Sequence, residues 1–374
     1  MELVFENLFN LELQQVIMWL IGGILIYLAI KKDMEPTLLL PIGFGAILVN
    51  LPFSGAVTQV IDGVTEVGIL DVLFNAGIAN EMFPLLLFIG IGAMIDFTPL
   101  LTNPKMLFFG AAAQFGIFFT LSLAALLGFD IKDAASIAII GAADGPTSIF
   151  VANYFNSKYI GAIIVAAYSY MALVPIIQPF VIRRITSREE RLIRMDNNVK
   201  STVPRVVKIL FPIFITIIAG IMAPRSVALV GFLMFGNLIR ECGVLNLLSE
   251  TAQRELPNLI TILLGITVAT KMQAEYFLTK ETIMILGLGL IAFVFDTVGG
   301  VLLGKFINLF AKNKVNPMVG ACGISAFPMS ARVIHKMGLE EDPHNFLLMH
   351  AVGANVAGQI ASVIAGGLII NLIA

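Results

Sequence analysis

The chain has 374 residues, 58% of them hydrophobic and only 13% charged, with a formal net charge of −2. An ordinary soluble domain carries roughly 25% charged residues, so 23 basic and 25 acidic side chains cannot clothe this much apolar surface. Soluble enzymes, secreted factors and nucleic-acid binders are excluded, and at ~20 residues per spanning helix the apolar residues suffice for about ten or eleven crossings.

Long continuous apolar runs replace period-two alternation, so the expected fold is an all-α polytopic membrane protein and not a barrel. The N-terminus, Met1-Glu2-Leu3-Val4-Phe5-Glu6, is acidic where a signal peptide is basic, and no cleaved presequence is expected. Short Gly-bearing segments come first, LLLPIGFGAILVN at 38–50 and LLLFIGIGAMID at 85–96. An apolar stretch at 111–128, an interrupted segment (IIGAADGPTSIFVANYF from Ile139) and a long apolar helix around 162–179 follow. Eight of the 23 basic residues then fall within 183–208, opposed only by Glu189, Glu190 and Asp196. By the positive-inside rule this connection is cytoplasmic. Beyond it the order recurs: ALVGFLMFGNLIR at 228–240, LITILLGITVAT at 259–270, and 287–304, which ends VLLG as 111–128 ends ALLG. A second interrupted segment (MVGACGISAFPMSARVI from Met318) and a final apolar helix around 346–370 complete the series. Residues 1–182 and 209–374 are therefore read as two membrane repeats joined by 183–208, inverted if each has an odd number of crossings.

The interrupted pair carries the functional signal. Proline removes a backbone donor and glycine weakens a helix, so Gly141…Gly145-Pro146 and Gly320…Gly323…Pro328 should break theirs. Broken backbone at membrane depth is tolerated only inside protein or beside a water-filled cavity. Matching breaks in two halves point to a central binding site. Asp144 stands in the first break, GAADGP. An unpaired aspartate near mid-membrane costs roughly 2.5–3.5 kcal/mol on insertion scales and usually lines an ion or proton path. It also suits a helix N-cap, and the two roles are compatible. Such a carboxylate can bind a hard cation such as Na+, or hold a proton when the cation leaves.

Arg332 follows the second break, where it either snorkels with His335 and Lys336 or orients an anionic group. Asn316, Ser325 and Ser330 offer neutral oxygens, although capping accounts for each equally well. Asn355, Tyr168 and Tyr170 could equally be helix-packing hydrogen-bond formers. Asp296, in FVFDTVGG, is a second intramembrane carboxylate. No phosphate loop, zinc motif or Cys-x-x-Cys pair occurs, so ATP is not the direct energy source.

GAADGPTSIF (141–150), VAAYSYMALVPIIQP (165–179), NPMVGACGISAFPMSARV (316–333) and NFLLMHAVGANVAGQIAS (345–362) resemble the β subunit of the sodium-pumping biotin-dependent decarboxylases. That family serves oxaloacetate, methylmalonyl-CoA and glutaconyl-CoA decarboxylases, and the similarity covers essentially the whole chain. Segment 51–81 is short where some oxaloacetate members carry a polar insertion, which resembles the acyl-CoA members and also the short oxaloacetate versions.

The resemblance implies a multi-pass bacterial inner-membrane subunit that decarboxylates carboxybiotin, consumes a proton and exports Na+ by alternating access. Biotin would sit on a separate carrier subunit, loaded by a carboxyltransferase α subunit. A small membrane subunit and a homo-oligomeric β chain complete the implied complex, with no nucleic-acid partner. Carried over by motif, Asp144, Tyr170 and Arg332 would be catalytic, with Arg332 toward the carboxybiotin carboxylate. Asp144, Asn316, Ser325 and Asn355 would bind Na+, with Tyr168, Gly320 and Ser330 as further candidates. Without the resemblance, a Na+-coupled organic-anion carrier or a cation/proton antiporter fits the broken helices, one Asp and one Arg equally well.

Overall fold

The computed structural model describes residues 11–32, 34–61, 63–195 and 203–373. Helix α1 (Leu13–Lys32) packs against α2 (Pro36–Val49), which opens on a proline where the missing N–H costs nothing. Trp19 Nε1 donates to the Asn50 carbonyl at 3.1 Å and ties the end of α2 back to α1. A small hairpin, β1 (Gln59–Ile61) with β2 (Val64–Glu66), pairs Gln59 with Glu66 in antiparallel register. It leads to α3 (Ile69–Gly77), α4 (Met82–Met94) and the short α5 (Thr98–Thr102). Next come α6 (Met106–Ala113), α7 (Phe115–Leu126), α8 (Ile131–Ala138), α9 (Gly145–Tyr154) and the long α10 (Ile160–Ile185). After α11 (Arg188–Arg191), the second half comprises α12 (Arg205–Met222), α13 (Val227–Glu241), α14 (Asn246–Gln253), α15 (Glu255–Val268) and α16 (Ala274–Phe277). It ends with α17 (Lys280–Phe310), α18 (Met329–Glu341) and α19 (Leu348–Ile373).

Among the described residues, five segments are long and apolar enough to cross a membrane: α1, α6 with α7, α10, α17 and α19. The α3–α4 pair, bent by 59°, makes a sixth if taken as one span. This is fewer than the ten or eleven that the apolar count allows. The difference lies in helices such as α2, α13 and α15, of 14 or 15 residues. At 1.5 Å per residue these fall short of a ~30 Å hydrocarbon core when straight and upright. Large apolar side chains such as Leu20, Ile24, Phe214, Ile221 and Phe310 are exposed, as a lipid-facing surface requires. The interior is made of buried Ala, Ile and Val on α10 and α19, packed around both interrupted segments.

The basic stretch is only partly a loop. Arg183 and Arg184 belong to the last turn of α10, and Arg205 and Lys208 lie inside α12, so position 208 falls within a helix. Its cations face the acidic end of α18: Arg183 pairs with Glu340 at 2.9 Å, Arg191 with Glu341 at 2.6 Å and Arg194 with Asp342 at 2.5 Å. Lys305 at the far end of α17 returns the charge to Glu190 at 3.0 Å. The Arg194 hydrogen bond, with the His344 backbone N–H, holds the Asp342 carboxyl below its ordinary range. Asp196 and Lys200 lie outside the described residues.

Candidate functional site

The first interruption forms where α8 tightens into a 3-10 turn over Ile139–Ala142. The chain then turns through Ala143 in the left-handed region (φ 50°) and restarts as α9 at Gly145-Pro146. Asp144 is the N-cap of α9 and is buried. Its Oδ1 accepts the Thr147 N–H at 3.2 Å, so the carboxylate meets the free donors and positive end of a helix. Its Oδ2 accepts the Thr147 hydroxyl at 2.7 Å, the Ser362 hydroxyl at 3.1 Å and the Gln359 amide at 3.4 Å. The hydroxyl end of the Tyr168 ring packs against Gly145, where a Cβ would come within 2.1 Å of it, so only glycine fits.

The second interruption is a 3-10 segment, Pro317–Gly323, followed by a bend and a turn before α18. The two breaks touch directly: the Ser325 N–H donates to the Ala142 carbonyl at 3.0 Å. The Ser325 hydroxyl shares a short hydrogen bond with Ser362, which in turn reaches Asp144. Asn355 Nδ2 donates to the Ile324 carbonyl at 2.7 Å, while its Oδ1 has no partner among the described residues. On α10, Gln178 donates to the Ala321 carbonyl at 2.8 Å and accepts the Ser330 hydroxyl at 2.8 Å. Helices α10 and α19 thus hold the second break from two directions.

The residues singled out from sequence do not all fall in one place. Asp144 and Ser325 lie at the junction of the breaks, within one network with Ser362, and Asn355 bonds to the neighbouring Ile324 carbonyl. Tyr170, on α10, donates to the Leu286 carbonyl of α17. Asn316 caps the Met318 N–H at 3.1 Å, and its amide donates to the carbonyls of Arg191 and Ile193 at 2.8 and 2.9 Å. That places its side chain at the basic end of the bundle. Arg332 is exposed in the first turn of α18, and its guanidinium makes no ion pair or hydrogen bond with a described residue. Tyr168 is buried and its hydroxyl lacks a partner among the described residues.

Thr147, Gln359, Ser362 and Gln178 are not singled out by the sequence. The one trace of two of them is periodic: Asn355, Gln359 and Ser362 recur at i, i+4 and i+7, which puts three polar side chains on one face of an apolar helix. Chemically, the junction offers one carboxylate, several neutral oxygens and the ends of broken helices, which is a donor set for a small hard cation. Among the described residues no group of three His, Cys, Asp or Glu forms a site for a transition metal.

Residues 14–373 match the family model described as Na+-transporting oxaloacetate decarboxylase beta subunit. The chain is 48% identical to the methylmalonyl-CoA decarboxylase subunit beta of Propionigenium modestum, covering 97% of this chain and 96% of that one. It is 49% identical to the glutaconyl-CoA decarboxylase subunit beta of Acidaminococcus fermentans, over 96% of this chain and 92% of the relative. With the probable oxaloacetate decarboxylase beta chain of Vibrio cholerae it shares 44% identity, over 98% and 97% of the two chains. These matches support the reading as a decarboxylase subunit over that as a free-standing secondary transporter. The chain belongs to the beta subunits of the Na+-transporting decarboxylases, and is a multi-pass, bacterial inner-membrane subunit of such a translocase.

Proposed function

We propose that this chain decarboxylates carboxybiotin presented by a partner subunit and couples that step to Na+ export. The carrying observation is the contact between the two breaks at Asp144, where one carboxylate and the hydroxyls of Thr147 and Ser362 converge. Na+, the transported ion, would be held by Asp144 with neutral oxygens from Ser325, Ser362 and Asn355. The unpartnered Oδ1 of Asn355 supports this, since a buried acceptor without a donor suits a cation. Asn316 would act from the entrance, through the carbonyls it holds.

Carboxybiotin is anionic, and Arg332 is an exposed guanidinium with no described ion-pair partner, which supports its meeting the substrate carboxylate. Decarboxylation releases CO2 and takes up one proton at the biotin nitrogen. Tyr170, whose hydroxyl bonds to the Leu286 carbonyl of α17, would lie along that proton's route. Moving one charge outward costs about 2.3 kcal/mol per 100 mV, within reach of an exergonic decarboxylation.

The proposed cycle is alternating access between inverted halves. The ends of the first interrupted hairpin are joined by the Ser157 hydroxyl on Asp133 at 2.6 Å, just before α10 begins. The second hairpin is bound at both ends, by Asn316 and Glu341, to Arg191 just after α10 ends. Helix α10 has 26 residues, so about 39 Å separates these points. This supports entry of the hairpins from opposite faces. The carboxyltransferase, the biotin carrier, a small membrane subunit and further copies of this chain are the proposed partners. The acyl-CoA relatives align over 357 and 382 positions against 422 for the oxaloacetate chain, which favours an acyl-CoA substrate.

The test is Asp144→Asn in the intact complex, reconstituted into vesicles. Na+ uptake and Na+-dependent carboxybiotin decarboxylation should both be abolished, and avidin should block uptake by the parent complex. Normal coupled activity in the variant would sink the assignment.

A further inference from the structure

A second carboxyl lies in the apolar interior, on α17. Asp296 is fully buried, and its Oδ1 accepts the Ile117 N–H at 3.1 Å. Ile117 stands in the first turn of α7, just past the point where the span 106–126 breaks at Gln114. The other oxygen, Oδ2, has no hydrogen-bond partner among the described residues, and none of the described ion pairs involves Asp296. The surroundings are close-packed. A Cβ on Gly116 would lie 2.5 Å from Oδ1, and one on Gly141 would lie 2.6 Å from Oδ2. Gly141 belongs to the 3-10 turn Ile139–Ala142, three residues before Asp144. Asp296 therefore occupies the meeting point of α17, the start of α7 and the first interrupted segment.

The Gly141 backbone packs close against Oδ2. An ionised carboxylate here would keep one oxygen bare in an apolar interior, at the full desolvation cost of a charge. The dipole of α7 and the backbone N–H groups of Gly116 and Ile117 offset only part of that. A neutral acid resolves both difficulties: Oδ1 still accepts from Ile117, and Oδ2 becomes an O–H donor. The Ala292 carbonyl oxygen, one turn back on α17, borders Gly116 beside Oδ1, and the Ala292 Cβ borders Gly141 beside Oδ2.

We propose that Asp296 is a positioning residue of the ion pathway, a neutral acid that fastens the break at Gln114 and the first interrupted segment to α17. The proposal rests on Asp144 being the ion-binding carboxylate, since what Asp296 positions is the turn leading into it. Asparagine keeps the shape, the acceptor and a donor without charge, whereas alanine removes all three.

The experiment compares Asp296→Asn, Asp296→Ala and Asp144→Asn complexes in vesicles, with NaCl as the varied ion. Asp296→Asn should keep maximal turnover and half-saturating Na+ within about twofold, while Asp296→Ala should raise half-saturating Na+ about tenfold with less effect on turnover. Infrared spectroscopy provides a readout that does not depend on activity. The carboxylic-acid carbonyl band assigned to Asp296 should be present in the parent and in Asp144→Asn, and absent from Asp296→Asn. An unchanged band in Asp296→Asn, or a folded Asp296→Asn complex with tenfold impaired Na+ dependence, overturns the proposal even if Asp296→Ala fails to assemble. Activity surviving in Asp144→Asn would instead count against the ion-site reading, so the two failures are distinguishable.

Discussion

Asp144 Oδ2 accepts two side chains from α19, Gln359 and Ser362, as well as its own Thr147. Ser362 is the more exacting of the two, because its hydroxyl also bonds to Ser325 across the second break. Ser362→Ala should therefore raise half-saturating Na+ about tenfold, equivalent to about 1.4 kcal/mol for one hydrogen bond at a charged group. An unchanged Na+ dependence of decarboxylation would remove Ser362 from the site. Asp144 is legible in the sequence because a charge inside an apolar run is costly and rarely accidental. Ser362 and Gln178 are not, since single polar residues in membrane helices usually serve packing. Asn316 shows the opposite limit: its residue type suits a Na+ ligand, yet its amide is spent on the carbonyls of Arg191 and Ile193.

Between elements, the second break lies against α17 at a glycine pair. A Cβ on Gly320 would be 2.0 Å from the Gly300 carbonyl oxygen, which is backbone and cannot move aside. Gly320→Ala is expected to destabilise the protein by about 1–3 kcal/mol through overpacking. Thermal unfolding in detergent measures this, and a melting temperature equal to the parent's would contradict the contact. At its other end α18 is pinned by Arg194 to Asp342. Because the folded carboxyl titrates below its unfolded value of about 4, this stabilisation is complete above that value. It is lost as pH falls through the lower folded value. Asp342→Asn should flatten that acid-side loss in a profile of melting temperature against pH. The breaks themselves are readable from Gly and Pro, but which neighbours close around them is not, because packing partners come from far along the chain.

At the scale of the whole molecule, the inverted arrangement proposed above makes a sidedness prediction. In a background with Cys242 and Cys322 replaced by serine, a cysteine at exposed Lys158 should react with an impermeant maleimide from outside intact cells. A cysteine at exposed His344 should react only after the membrane is opened. Labelling of both from the same side would exclude opposite entry of the two hairpins. Composition and hydropathy by themselves determined that the chain lives in a membrane as helices, that two segments are interrupted, and that Asp144 and Arg332 stand beside them. These are local properties, set by transfer energies and backbone chemistry within a few residues. The number of full-length crossings, the joining of Ser325 to Ala142, the Gln359 and Ser362 contacts and the burial of Asp296 against Gly116 and Gly141 were decided only by the tertiary structure. Each depends on residues from distant parts of the sequence meeting at one depth, and no periodicity within a single segment encodes that distance.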